Sequence, residues 1–272
     1  MTLLAKLPNR GVIKMDGSDV IPFLQGLITQ DLKSISVGEA CYSCLLTPQG
    51  KYLYDFFVIR TPTGVLIDSE GGERLLSLIK LLNLYLLRRP IDIEDASASL
   101  SIVVHDGPQV ASALFTFPDP RDSRLGFRTV VTEKWEGKVS EESYVQRRLE
   151  HVVPESSRDL TPQKTIVLEY GFDGLHAFSW TKGCYLGQEL MARTKHRGLI
   201  RKTVFGIEAT GFLPEVGTAL YAGEQEAGHL TSTYGNKGFA LLRLEVIEPH
   251  LSENKGIHFE NGLAVRVIPA HR

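Results

Sequence analysis

The chain has 272 residues, with 30 Lys and Arg against 32 Asp and Glu and a formal charge of −2. At roughly 150 residues per domain this length suggests about two domains, and 43% hydrophobic with 23% charged residues is the balance of a folded globular protein. Near-neutral charge excludes binding to nucleic acid or membrane through bulk electrostatics, so any such contact must be local.

The N-terminal stretch Met1–Pro8 is too short and lacks the small-residue cleavage site of a signal peptide. Val12–Gly17 then gives a β-branched strand with an Asp-Gly turn, followed by a helical pattern through Val20, Phe23, Leu24 and Leu27. A weak repeat of this unit lies 90 residues on. Ile102–Gly107 is a second strand and turn, and Pro108, Gln109, Val110, Ala113 and Leu114 predict a second helix. Between the two units, Cys41–Leu46 and Tyr52–Ile59 read as strands joined by the turn Thr47–Lys51. Cys41 and Cys44 form a C-x-x-C, but residues three apart on a strand point to opposite faces, which predicts two core thiols and no metal.

Leu75–Leu87 is the most apolar run and is interrupted by Lys80 and Asn83. At 13 residues it falls short of the roughly 20 that a membrane span needs, so it is predicted as a core helix ended by Arg88-Arg89-Pro90. Glu141–Glu150 predicts another helix with Tyr144, Val145 and Leu149 on one face. After Lys202, short apolar runs at 204–207, 219–221, 239–244 and 264–268 predict a small β-barrel or sandwich. The expected architecture is α+β: two sheet lobes and a C-terminal barrel.

Two segments carry chemistry. In Thr181–Glu189, Gly183 and Gly187 bracket Cys184 just before an amphipathic pattern. A helix starting there would place Cys184 at or near its N-terminus, where backbone N–H groups, the helix dipole and Lys182 favour a thiolate. A buried cysteine in a glycine-rich turn fits the same spacing. The stretch from Arg193 to Lys202 carries five formal positive charges, and no acid occurs between Glu189 and Glu208. It suggests an anion-facing patch for a polyanionic ligand tail, RNA phosphates or an acidic partner, or else an ordinary solvated face. No aromatic residue interleaves these charges, which disfavours direct nucleic-acid binding. Three cysteines, an odd number, point to a reducing compartment.

Lys182-Gly183-Cys184-Tyr185-Leu186-Gly187-Gln188-Glu189, with Ala192-Arg193-Thr194 and His196-Arg197-Gly198, resembles the signature of the YgfZ-type folate-binding proteins, in the superfamily of the glycine-cleavage T-protein, an aminomethyltransferase. Phe23–Asp31, Thr47–Lys51, Asp119-Pro120-Arg121 and Leu125–Arg128 resemble further elements of that family.

The resemblance implies two ferredoxin-like lobes, one discontinuous, and a C-terminal barrel around a central folate site. It divides the chain into a folate-binding lobe (1–46 and 141–202), a second lobe (47–140) and a barrel (203–272). It implies tetrahydrofolate or a one-carbon derivative as cofactor, with Asp55, Tyr144, Glu150, Arg128, Lys182 and Gln188 in the pocket and Cys184 as the reactive residue. It also implies a role in assembly or repair of iron–sulfur proteins, including tRNA-modifying [4Fe–4S] enzymes. The expected partners are assembly or client proteins and no membrane, in the bacterial cytoplasm or the mitochondrial matrix. A folate-dependent one-carbon transferase is the alternative. Against it, Tyr54-Asp55 supplies one acid where the transferases carry two, and His151-Val152 replaces the Ala-Gly of their pterin-holding motif.

Overall fold

The computed structural model describes residues 4–107, 110–132, 135, 141–198, 200–253 and 255–270. It begins with a short strand, β1 (Leu4–Lys6), that belongs to the second lobe, and then builds the first. The first lobe comprises β2 (Arg10–Asp16), the helix α1 (Val20–Gln25), β3 (Ala40–Leu46), β4 (Tyr52–Arg60), β5 (Gly64–Glu70), the helix α2 (Glu73–Leu86) and β6 (Asp92–Asp95). Its five strands form an antiparallel sheet in the order β3-β4-β5-β2-β6.

Both helices cover one face of this sheet. Phe23, Leu24, Leu75, Leu78 and Leu82 close over Ile13, Met15, Cys41 and Phe56. The other face, with Tyr42, Cys44, Leu46 and Phe57, opens onto a second core shared by all three parts of the molecule. Cys41 and Cys44 thus lie in different cores, as the period of two requires.

The second lobe adds β7 (Leu100–His105), β8 (Ala113–Pro118) and β9 (Phe127–Thr132) to β1, in the order β1-β7-β9-β8. The helix α3 (Glu141–Glu150) follows, burying Tyr144, Val145 and Leu149 as its spacing predicts. A single helical turn, α4 (Ser156–Asp159), comes next, and α5 (Gln188–His196) closes the middle of the chain.

The barrel closes six strands: β10 (Lys202–Ala209), β11 (Ala219–Ala222), β12 (Gln225–Tyr234), β13 (Lys237–Arg243), β14 (Ile257–Phe259) and β15 (Ala264–Pro269). The helix α6 (Leu244–Ser252) places Val246 and Ile247 in the barrel core. Phe239, Leu241 and Val204 belong instead to the core shared with the lobes, so the barrel wall packs against the rest of the molecule.

Two expectations change. The second helix of the repeat does not form: Ala113 and Leu114 lie on the edge strand β8, while Pro108 and Gln109 fall outside the described residues. Strand pairing also draws the lobe boundaries elsewhere than 1–46, 47–140 and 141–202. A cut after residue 46 would split the β3–β4 hairpin, whose register runs from Ala40 opposite Ile59 to Leu46 opposite Tyr52. Residues 10–95 make one sheet lobe, and β1 crosses over to pair with β7. Among the described residues no helix is long and apolar enough to cross a membrane.

Candidate functional site

Two regions carry the residues that the sequence singles out. The first is inside, between the two lobes. The register of β3 against β4 slips between Leu45 and Leu46, so Leu53 is passed over. This bulge puts Tyr52 and Asp55 on one face although they are three apart. Asp55 is 2% exposed and accepts hydrogen bonds from the hydroxyls of Tyr52 (2.7 Å) and Tyr42 (2.8 Å). Burial pushes its carboxyl up, opposed by the Arg10 charge and the two tyrosine bonds.

Beside it lies a network of arginines and acids. Asp68 accepts from Arg10 Nε (2.6 Å) on one oxygen and from Arg128 Nη2 (2.6 Å) on the other. Asp119 takes Arg121 Nη2 at 2.8 Å. The Tyr144 hydroxyl accepts from Arg121 (2.7 Å) and Arg128 (3.2 Å) and donates to Glu155 Oε2 (3.0 Å). Arg148 pairs with Asp159 on the barrel side. The Phe57 ring lies beneath three guanidiniums, with Arg128 at 4.0 Å, Arg121 at 4.7 Å and Arg10 at 5.7 Å from its centroid. Burial alone would raise the Glu155 carboxyl, but Arg121, Arg10, Arg128 and Arg148 hold it well below the usual carboxylate range.

The second region is at the surface. Of the three free thiols, Cys184 is exposed, while Cys41 and Cys44 are buried. Burial pushes the Cys41 thiol up to about 12 and raises Cys44 as well. Three separate sequence motifs meet around the Cys184 loop. Leu186 N–H donates to Gly26 O (3.1 Å), and Ser179 N–H donates to Thr29 O (3.1 Å). Thr29 Oγ1 donates to Ala177 O (2.6 Å), and Gln30 Nε2 donates to His176 O (2.7 Å). These bonds fasten the loop to Gly26–Gln30.

The hairpin turn Thr47–Lys51 supports its other end. A Cβ on Gly187, whose φ is +80°, would sit 2.6 Å from Thr47 O, and one on Gly50 would meet Leu190 Cβ at 2.9 Å. Glycine is therefore required where these two turns touch. The helix itself begins later than expected. Gly187 is the N-cap of α5, and Cys184 lies three residues ahead of that cap, outside the first turn where the dipole acts.

Lys182 is turned inward, and its ammonium donates to Ile28 O and Gln30 O, both at 2.8 Å. Burial lowers it to about 8. Gln188 is the first residue of α5, half-buried, with its N–H on Tyr185 O.

Of the residues expected in a folate pocket, the structure brings Asp55, Tyr144 and Arg128 together. Glu150 is apart, at the surface, paired with Lys237 at 2.6 Å. Lys182 and Gln188 belong to the Cys184 loop. The acids in this set are already bonded within the protein. A pterin needs a carboxylate free to accept from its N–H edge, whereas Asp55 is sealed by two tyrosines and Glu155 is held by arginines. Tyr144 lines a cavity of about 350 Å³, with Asn9, Arg10, Glu70, Glu155 and Arg158 among its other walls.

Glu155, Asp68 and Arg10 escape sequence reasoning, because single charges in otherwise ordinary strands and turns carry no spacing signal. Arg121 does lie inside a motif that carries the resemblance, Asp119-Pro120-Arg121. The basic stretch is less free than its composition suggests. Arg193 pairs with Glu189 at 3.2 Å, and Lys195 pairs with Asp173 and lies over the Trp180 ring. Arg197 and Arg201 are exposed.

Among known proteins, the chain is 31% identical over 288 residues to the iron–sulfur cluster assembly factor IBA57, mitochondrial, of Homo sapiens, covering 92% of this chain and 81% of that protein. The Mus musculus counterpart is 31% identical over 284 residues, covering 89% and 78%. The chain belongs to the IBA57 family of iron–sulfur cluster assembly factors. Residues 201–271 match the family described as the CAF17 C-terminal beta-barrel domain. The crystal structure of glycine cleavage system aminomethyltransferase T from Bartonella henselae shares the fold, with a TM-score of 0.71 at 14% identity over 98% of this chain and 85% of that one. An IBA57-family chain therefore carries its exposed thiol on an aminomethyltransferase-type scaffold.

Proposed function

We propose that the chain works in iron–sulfur cluster assembly through the Cys184 thiol, with the ionic interior as a rigid support. The observation that carries this reading is the contrast among its thiols. Cys184 is exposed on a loop braced by two other motifs, while Cys41 and Cys44 are locked in separate cores. A thiolate is the form in which cysteine binds iron or attacks a disulfide.

One cysteine supplies one ligand, and iron–sulfur clusters are generally held by four. Among the described residues no group of three or more His, Cys, Asp or Glu is arranged to hold a metal. Cluster contact at Cys184 accordingly requires ligands from another protein or a second copy. The cluster is cargo in this scheme, passed between partners while Cys184 holds one of its irons. Clients would be [4Fe–4S] enzymes, tRNA-modifying ones among them. Free thiols suit a reducing compartment, and the mitochondrial names of the relatives favour the matrix. Aminomethyl transfer is not part of the proposal, because, of the acids carried over for folate, Asp55 is sealed by two tyrosines and Glu150 stands apart at the surface.

Depletion of the chain in its own cells tests the reading. Activities of [4Fe–4S] enzymes should fall while enzymes without clusters hold steady, and re-expression of the wild type should restore them. A Cys184→Ser variant of normal abundance that restores them fully would refute a role for the thiol.

A further inference from the structure

The Cys184 loop alternates in a way that its sequence does not announce. Thr181, Gly183 and Cys184 are exposed, whereas Lys182 and Tyr185 are buried. Two inward side chains therefore frame two outward residues. The loop backbone is tied to the first lobe at its ends, through Ser179 N–H to Thr29 O and Leu186 N–H to Gly26 O. Between those ties the side chain of Lys182 makes the connection, donating to the carbonyls of Ile28 and Gln30 and lying 5.3 Å from the centroid of the Tyr185 ring.

Both carbonyls flank Thr29, which is itself fixed. Its N–H donates to Cys44 O (3.0 Å), and its hydroxyl accepts from Cys44 N–H (2.9 Å). Lys182 thus hooks the loop to a point that is rigidly joined to β3.

An ammonium makes a costly anchor. Placing a charge away from water is unfavourable unless it is fully bonded, and two neutral carbonyls compensate less than a carboxylate would. A methionine would fill the same space without that charge, but it would leave the buried carbonyl of Ile28 without this donor. What the lysine adds is direction, through two donors aimed at two fixed acceptors. We propose that Lys182 is the positioning residue for Cys184, clamping the loop so that the thiol is presented outward in one orientation to the partner that shares the cluster. This rests on the proposed role of Cys184 in cluster assembly.

The test uses the full chain with a nitroxide spin label on Cys184, whose exposure sets it apart from the buried Cys41 and Cys44. The wild type should give a slow-motion spectrum. In Lys182→Met the label's correlation time should shorten by about tenfold, because two charge-assisted hydrogen bonds are lost. Lys182→Arg, which keeps donors for both carbonyls, should restore part of the slow component. A reference label on exposed α2, from Lys80→Cys in a Cys184→Ser background, should not change when Lys182→Met is added.

In depleted cells Lys182→Met should lower [4Fe–4S] enzyme activity at normal abundance, and Lys182→Arg should recover part of it. An unchanged Cys184 spectrum in Lys182→Met, or equal loosening at the reference label, would overturn the clamp. Should Lys182→Met not fold, Lys182→Gln, with a shorter neutral donor, should show the same local loosening, and failure of both to fold would assign the lysine to stability and overturn the proposal. Full activity of Cys184→Ser alone would instead refute the role of the thiol while leaving the spectrum to decide the clamp.

Discussion

The inter-lobe ionic network and the Cys184 loop are both rich in polar contacts, yet they are built to opposite ends. In the network, Arg121, Arg128 and Asp68 are almost wholly out of water, and the bonds of Asp68 and Tyr144 are taken up by one another's partners. In the loop the bonds run inward from Lys182, Ser179 and Leu186, and Cys184 is left facing solvent. Such a network rigidifies, since Asp68 and Tyr144 keep all their bonds only in one arrangement, although Arg121 Nη1 and Asp159 Oδ1 have no hydrogen-bond partner among the described residues. An open thiol on a fastened loop is available to something outside. On the proposed reading, the interior gives support and the surface loop carries the chemistry.

Breaking the interior should give the largest effects on stability. Asp68→Asn leaves Arg10 and Arg128 without their shared carboxylate, and loss of one partner of a buried pair costs about 3–5 kcal/mol. Denaturant titration should show it as a lowered midpoint with an unchanged slope.

Gly187→Ala comes next. A Cβ against Thr47 O in a left-handed backbone should cost about 1–3 kcal/mol, read by the same titration, and should raise hydrogen exchange at the 47–51 turn and the Cys184 loop ahead of the barrel.

Acid should distinguish the carboxyls within the network. Glu155 titrates below its ordinary 4.5, so its contribution is present above that pH and is lost as pH falls through the folded value. Glu155→Gln should therefore flatten the acid limb of the stability profile. Asp55 has the opposite sign: its raised carboxyl contributes most at low pH and loses stability as pH rises above its ordinary 3.8. Asp55→Asn should accordingly cost less near pH 7 than Asp68→Asn in the same denaturant titration. The smallest change is expected from Arg193→Ala, whose exposed i,i+4 pair with Glu189 is worth about 0.3–0.5 kcal/mol.

Legibility in the sequence follows the same division. Periodicity marks α2, α3 and the β3–β4 hairpin, because apolar spacing reports directly which face is buried. It misses β12, where Gln225–Tyr234 mixes polar residues and a glycine in a barrel wall, and α6, which carries Pro249. It misreads Ala113 and Leu114 because a strand–turn–helix repeat was extended onto an edge strand.

At the site, glycine spacing around Cys184 was informative, since Gly187 is required where two turns touch. The convergence of Gly26–Gln30, Thr47–Lys51 and the Cys184 loop was not legible, because tertiary contacts between motifs leave no periodic trace. The sealing of Asp55 was equally hidden. It depends on a one-residue slip in strand register that turns Tyr52 toward it.

The most direct measurement sets the two regions against each other in one experiment. In cells depleted of the wild-type chain, Cys184→Ser and Asp55→Asn are each expressed at matched abundance, and the activity of a [4Fe–4S] enzyme is assayed. The account predicts activity at the depleted level with Cys184→Ser and at the wild-type level with Asp55→Asn. Full activity with Cys184→Ser together with loss in Asp55→Asn would contradict it and move the chemistry back to the interior.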